Sequence, residues 1–396
     1  METTAPLPSR NARIEVADVL RALAVMAIVL LHSIEHFNFG FYPPTDGQAA
    51  WLRFADRAVW DGLFFLIGGK AYAVFALLFG FSFYIQYDNE RRRGRDFRLR
   101  FLWRMCLLLL IGQLNAAFFT AEILVLYALV GFTLPLVARL PDRAVLAVSA
   151  VCLMQPLCLY QIAAALACPD WCVPPVPTGG LWAATYAAQS SGSFWETVRV
   201  NLWEGQLASL AWAWDNGRVF QTAALFYLGM LVGRRGLFLE DKLPLWGRAA
   251  GLALALFFPL WGLAGMLPDF LQRGPLLTAV LLLVESLHKF CFMILLVSGT
   301  LYAYYRTSCR SALRKITPYG RMSLTNYVTQ GMAGSFLFYH WGMGLDRYLG
   351  IAPSVLVGAL MLVIQFHLCR RWMQAHRHGP LEYAWKRLTW IGSDRR

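Results

Sequence analysis

The chain has 396 residues, 58% of them hydrophobic and 15% charged, with 15 Trp, 16 Tyr and 27 Phe. Apolar runs long enough to cross about 30 Å of hydrocarbon recur along its length. The formal net charge is +13, but the Lys and Arg fall in short connections between these runs. The charge therefore reports membrane topology, and a nucleic-acid partner is excluded.

The expected fold class is all-α, a polytopic transmembrane helical bundle of about ten spans. They are placed at 19–37, 62–86, 99–117, 122–138, 144–163, 217–233, 246–266, 276–304, 323–340 and 351–368. A polar segment, 1–18, precedes the bundle, and a basic tail, 369–396, follows it. Arg91 to Arg100, Arg139 with Arg143, Arg234 to Arg248 and Arg306 to Arg321 all fall on one side of a single alternation. By the positive-inside rule both termini are cytoplasmic, as in a multi-pass protein of a bacterial inner membrane. The first apolar run lacks a small-residue cleavage site and is expected to stay as a span.

Span one reads DVLRALAVMAIVLLHSIEH. At 100° per residue Arg21 and His32 share a face, about 16 Å apart along the axis. Glu35 and His36 follow His32 at i+3 and i+4. Ionisable groups on one stripe of a membrane-length helix mark a functional pathway, though Asp18 and Arg21 also suit interfacial anchors. The outer loop 38–61 carries Asp46, Asp56 and Asp61, which can line a mouth or simply be solvated. Span two buries Lys70, which demands a partner, a water-filled cavity or a neutral amine. Arg104 lies near the inner end of span three, and Glu122 opens span four, where it can be a helix-dipole contact or can orient a histidine of span one.

The longest outer segment, 164–216, contains Cys168 and Cys172, a plausible disulfide in an oxidising compartment. Its stretch SFWETVRVNLWEGQLASLAWAWDNGR reads as an interfacial helix, with Asp215 and Arg218 spaced to pair. In span eight Glu285, His288 and Lys289 stand at i, i+3 and i+4 near mid-membrane, either as a pathway or as a self-neutralised pair that fixes packing. Span nine opens with a polar stripe that includes Asn326, Tyr327 and Gln330, suited to helix–helix bonding or to lining a channel. The sequence has no internal repeat, nucleotide-binding loop or zinc-ligand pair.

The segments LRALAVMAIVLLH, GGKAYAVFALLFGFSF, RRRGRDFRLRFLWR, TAEILVLYALVGFTLPL, FYLGMLVGRRGLF and GRMSLTNYVTQ occur in that order over nearly the whole chain. Together they resemble the YeiB-like family of bacterial inner-membrane proteins. That family is similar in turn to the transmembrane acyltransferases, the acyltransferase-three enzymes and the heparan-glucosaminide acetyltransferase. In the acyltransferase-three pattern an Arg, ten residues and a His open the first span, which Arg21 and His32 match. YeiB-like proteins often carry Asn at the position of His32, so the His here favours an enzyme.

The resemblance implies transfer of an acyl group, most simply acetyl, from cytosolic acyl-CoA to a hydroxyl or amine outside. The acceptor can be a glycan, a lipid-linked sugar or a small metabolite, and no metal is required. His32 or His36 would act as base or nucleophile, with Glu35 or Glu122 orienting the ring. Arg21, Lys70 and Arg104 would hold the donor, while Glu285, His288, Lys289, Asn326 and Gln330 would line the channel or support it. The competing class is a proton-coupled transporter or flippase without covalent chemistry. The topology is tested by reporter fusions at residues 95 and 180, expected on the inside and the outside respectively; both on one side would refute the alternation.

Overall fold

The computed structural model describes residues 14–35, 37, 42–120, 122–168, 176 and 178–392, and their regular secondary structure is helical throughout. In chain order the helices are α1 (Glu15–Glu35), α2 (Ala50–Leu66), α3 (Lys70–Arg91), α4 (Arg98–Ala116), α5 (Leu124–Gly131), α6 (Leu134–Val137), α7 (Asp142–Leu153) and α8 (Pro156–Ala167). There follow α9 (Gly179–Ser191), α10 (Phe194–Val200), α11 (Gln206–Asp215), α12 (Arg218–Arg234), α13 (Leu243–Phe270) and α14 (Pro275–Arg306). The chain closes with α15 (Arg310–Lys315), α16 (Thr317–Arg321), α17 (Ser323–Phe338), α18 (Ile351–Ala375) and α19 (Pro380–Thr389).

The protein is a polytopic helical membrane protein. Six helices are long and apolar enough to cross a membrane: Glu15–Glu35, Ala50–Arg91 taken across the α2–α3 break, Arg98–Ala116, Glu240–Phe270, Pro275–Arg306 and Ile351–Ala375. The α7–α8 pair, bent by 50°, makes a seventh if it is one span. Each of the ten expected spans coincides with a helix or a helix pair, but the remaining three are short: Leu124–Val137, α12 and α17. At 1.5 Å per residue these reach only about 21 to 26 Å.

The core is built on α3 and α12. A methyl group built on Gly80 would overlap the backbone of Phe226, and one on Gly229 would overlap the backbone of Leu77. Small residues let two helices approach until their backbones touch, which is how packing substitutes for a hydrophobic driving force inside lipid. Gly69 of the α2–α3 break faces Arg218, Tyr72 bonds Thr222, and Tyr84 packs on Gly233, so α3 and α12 run parallel. The alternation of spans two and six requires that direction. Phe79 stacks on Phe226 at 4.5 Å, and Tyr127 of α5 meets Phe226 edge-on at 5.1 Å, which fills the centre with rings.

Four expectations change. The outer loop contains α2, a helix whose scattered charges hid it, and Asp56 is buried there. Its carboxylate accepts Gln48 Nε2 at 2.9 Å and the backbone N–H of Ala352 at 2.8 Å, capping α18 instead of lining a mouth. The predicted interfacial helix exists as α10 and α11 joined by a π-turn at Asn201–Gly205. It is tied into the bundle, because Asn201 Oδ1 accepts from Thr120 at 2.8 Å and from Gln189 at 3.0 Å. Arg218 bonds Gln221 at 2.9 Å and does not pair with Asp215. The tail is not a separate segment: α18 runs on to Ala375, and α19 packs on α4. There Trp385 donates to the Arg104 carbonyl at 3.0 Å, while Glu382 caps α17 at the N–H groups of Leu324 and Thr325. Cys172 and His36 lie outside the described residues, so the disulfide and the His36 assignment fall there too.

Gly80→Val should destabilise the bundle by more than the usual ~1–3 kcal/mol of an overpacked core, because the obstructing atoms are backbone. Thermal unfolding in detergent measures this. Gly247→Val serves as control, since nothing lies within 4 Å of a methyl group at that position; equal Tm losses in both would refute the crossing as the critical contact.

Candidate functional site

A cavity of about 1060 Å³ opens among α1, α2, α3, α5, α9, α11, α12, α13, α14 and α17. Its lining includes His32, Glu35, Lys70, Glu122, Glu285, His288 and Lys289. Ionisable residues from four separate stretches of the sequence are thus brought onto one space.

The first wall comes from α1, α5 and α17. His32 is 7% exposed, and its ring centroid lies 4.8 Å from Phe119, 6.0 Å from Phe37 and 6.1 Å from Tyr327. Glu122 is buried and precedes α5, where its carboxylate accepts the Val125 N–H at 2.8 Å and Asn115 Nδ2 at 3.2 Å. The helix-dipole reading of Glu122 is therefore correct as geometry, and the residue faces the cavity as well. Tyr327 stands between the two, its hydroxyl accepting the Ile123 N–H at 3.2 Å. Thr120, Gln189 and Tyr339 complete this wall.

The second wall forms where α2 breaks into α3. Gly69 has φ +71°, a left-handed backbone that glycine adopts without a Cβ penalty. Lys70 follows, 4% exposed, and its ammonium donates to the carbonyls of Phe64 at 3.0 Å and Phe65 at 2.7 Å. These are late carbonyls of α2, so the buried cation caps a helix C-terminus. It also lies 5.3 Å from the Phe292 ring centroid. Lys289 and Glu285 of α14 pair at 2.5 Å, the self-neutralised arrangement their spacing allows. His288 is buried beside Phe257, and its Nδ1 has no hydrogen-bond partner among the described residues.

Other expected site residues lie elsewhere. Arg21 bridges Asp18 at 2.5 Å and Ser82 Oγ at 2.7 Å, tying α1 to α3. Arg104 stacks on Trp385 with its guanidinium 3.5 Å from the ring centroid. Asn326 joins helices, donating to the Tyr319 carbonyl at 3.1 Å and accepting from Cys369 at the same distance. Gln330 is fully buried, with neither amide atom partnered among the described residues. None of these four lines the cavity.

Sequence reasoning missed Arg218, Gln221 and Ser286. Gln221 donates to Ser286 Oγ at 3.1 Å, and Gln155 reaches the same oxygen at 3.1 Å. A signal existed, because Arg218, Gln221 and Thr222 repeat the i, i+3, i+4 spacing that singled out Glu285, His288 and Lys289.

A second cavity of about 660 Å³ lies at the far end of α3, lined by Tyr84, Tyr87, Arg91, Arg95, Arg139 and Arg234 with Asp96. In the connecting loop, the Arg98 guanidinium holds the Asp96 carboxyl down at about 2, so it stays anionic there. The Phe79, Phe226 and Tyr127 rings lie between the two cavities along α3.

Residues 232–392 match the domain described as a protein of unknown function, DUF418. Over 96% of this chain and 95% of the relative, the sequence is 27% identical to YxaH of Bacillus subtilis, described as uncharacterized. It is also 27% identical to the uncharacterized protein YeiB of Escherichia coli, over 94% of this chain and 95% of that protein. The chain is similar to these YeiB-like proteins over nearly its whole length. A Bacillus acidopullulyticus protein described as an uncharacterized 39.9 kDa protein in the amylase 3′ region is 23% identical over 96% of this chain and 94% of its own length. In this chain the matched domain spans α13 to α19 and supplies Glu285, His288 and Lys289, while His32, Lys70, Glu122 and Arg218 precede it.

The capping role of Lys70 has a measurable cost. Lys70→Met keeps the stem but leaves the Phe65 carbonyl without a donor, since the Phe64 carbonyl retains the Gly68 N–H, a loss of about 1–3 kcal/mol for an unsatisfied buried group. A lowered Tm in detergent is expected; an unchanged or raised Tm would show that the ammonium is not held for stability.

Proposed function

We propose that the protein is a membrane-embedded acyltransferase that moves an acyl group, most simply acetyl, from acyl-CoA to a hydroxyl or amine of an acceptor. One observation carries this reading: His32 and Glu122 face the same large cavity, with Tyr327 between them. A histidine is the side chain whose ordinary pKa, about 6.5, suits proton abstraction near neutrality. The spacing of Arg21 and His32 and the resemblance to the acyltransferase-three pattern add to it.

In the step envisaged, the His32 imidazole takes the proton from the acceptor's hydroxyl or amine as its oxygen or nitrogen attacks the thioester carbonyl. The new C–O or C–N bond forms, the C–S bond breaks, and the thiolate of coenzyme A leaves with the proton returned by the imidazolium. Donors on the first wall, such as the Tyr327 hydroxyl, suit the oxyanion that develops. The arginine-lined second cavity matches the phosphates of coenzyme A better than Arg21 or Arg104, which are engaged by Asp18, Ser82 and Trp385. By the positive-inside rule that cavity opens to the cytoplasm, and the inner membrane is the expected location.

Transport without covalent chemistry is the second reading, and one feature favours it. Two cavities at opposite ends of α3, separated by stacked rings, also suit alternating access. Acyl transfer across the bundle requires those rings to part.

Consumption of acetyl-CoA by purified protein separates the two. His32→Ala should lower turnover by about 10² to 10⁴, the usual contribution of a general base, while folding is retained. Turnover near wild type in His32→Ala, with loss in His288→Ala, would move the chemistry to α14. No thioester cleavage by the wild type with any hydroxyl or amine acceptor would refute the reading.

A further inference from the structure

We infer that Arg218 and Lys289 form a binding site for a phosphate ester at the α2–α3 break, distinct from the His32 wall. Three cations, Lys70, Arg218 and Lys289, gather on this wall against one carboxylate, Glu285. Lys70 is held by two carbonyls and Lys289 by Glu285. Among the described residues the Arg218 guanidinium meets neutral groups: the Gln221 amide, the Tyr72 hydroxyl, and the rings of Tyr72 at 4.9 Å and Trp212 at 5.6 Å. No carboxylate pairs with it among the described residues. An uncompensated guanidinium within a membrane bundle is expensive, and such charges persist where a ligand completes them.

The backbone is shaped to let the two cations converge. A methyl group built on Gly69 would lie 3.3 Å from Lys289 Cδ and 3.5 Å from Arg218 Nη2, so this glycine leaves the space through which α14 and α12 reach one point. Gln221 fixes the guanidinium and is itself fixed by Ser286. A second, independent feature points to a ligand here. His288, 7% exposed and lining the same cavity, has a ring nitrogen with no partner among the described residues.

The ligand's chemistry follows from the charges. The surplus on this wall is two positive charges, which matches a dianion, and the guanidinium fork fits phosphate oxygens in pairs. Phe65, Phe257 and Trp261 flank the site and suit an organic remainder. Glu35 and Glu122 line the cavity too, but Glu122 is engaged on the first wall by Asn115 and Val125. A phosphate ester can arrive from the bilayer as a lipid or from water as a soluble cosubstrate.

Calorimetric titration of the full chain in dodecyl maltoside tests this, with dihexanoyl phosphatidic acid as one probe and coenzyme A as the other. Binding is read without turnover, so failure of the acyl-transfer reading leaves this result intact. Saturable binding of at least one probe that Arg218→Gln weakens is expected, and that probe names the source; coenzyme A binding that Arg218→Gln leaves unchanged belongs to the arginine-lined cavity. Arg218→Gln and Lys289→Gln should each weaken it about tenfold or more, the scale of a lost charge-assisted hydrogen bond. Arg218→Lys should recover part of the loss. Glu285→Gln frees the Lys289 ammonium and should tighten binding several-fold, an effect of opposite sign that misfolding would not produce. Arg248→Gln, at an exposed position, should bind as wild type. Absence of saturable binding by both probes, wild-type affinity in Arg218→Gln and Lys289→Gln, or no tightening in Glu285→Gln would overturn the site.

Discussion

The architecture depends on the backbone contact between α3 and α12. Gly80 lies against Phe226 and Gly229 against Leu77, so two parallel helices touch where any side chain would hold them apart. Because they are parallel, their starts lie together and so do their ends. The starts bring Gly69 and Lys70 beside Arg218, forming one wall of the large cavity. The ends bring Tyr84 beside Arg234, forming the arginine-lined cavity. Between them the same crossing clamps Phe79 against Phe226. One close approach therefore sets two sites and the barrier between them.

Much of the large cavity was legible in the sequence, for a physical reason. Hydrocarbon has no water to solvate an ionisable group, so Lys70, Glu285, His288 and Lys289 stand out within apolar runs. His32 stands out in the same way, and Glu122 does so by opening a span. Arg218 was obscured because it begins its helix beside Asp215, where an ordinary surface ion pair is the simpler expectation. The helix α2 was hidden by Arg53, Asp56, Arg57 and Asp61, which lower its mean hydropathy until it reads as loop. Asp56 could not be recognised as a cap, since the N–H it accepts belongs to a helix almost 300 positions later. A separation of 58 positions likewise concealed the use of Glu382 on α17.

Span number was harder to read than helix location. Hydropathy detects an apolar stretch whether it crosses a membrane alone or fills the interior beside longer helices. The Leu124–Val137 pair and α17 are short and buried on many sides, while α13 is long and largely exposed. A short helix in the interior need not match the hydrocarbon thickness by itself, because neighbouring helices surround its ends and satisfy its terminal groups. Tyr327 illustrates this. Its hydroxyl serves the start of α5 from within α17.

The buried polar residues separate into two classes that no spacing rule distinguishes. Lys70, Asp56, Glu382 and Asn326 are closed: their charges or amides meet backbone groups at 2.7 to 3.1 Å. Removing such a group exposes a helix terminus, so selection for stability alone explains it. His288, Gln330 and Arg218 are open, with ring nitrogen, amide or guanidinium incompletely matched among the described residues. An open group costs free energy in the unliganded fold and returns it only when something binds. Closed groups therefore account for how this bundle holds together, and open ones for what it holds. Lys70 and Arg218 are near neighbours across Gly69, yet they fall in opposite classes. The difference lies in their partners, two helix-end carbonyls against a neutral amide and a phenol, and becomes visible only once the helices are packed.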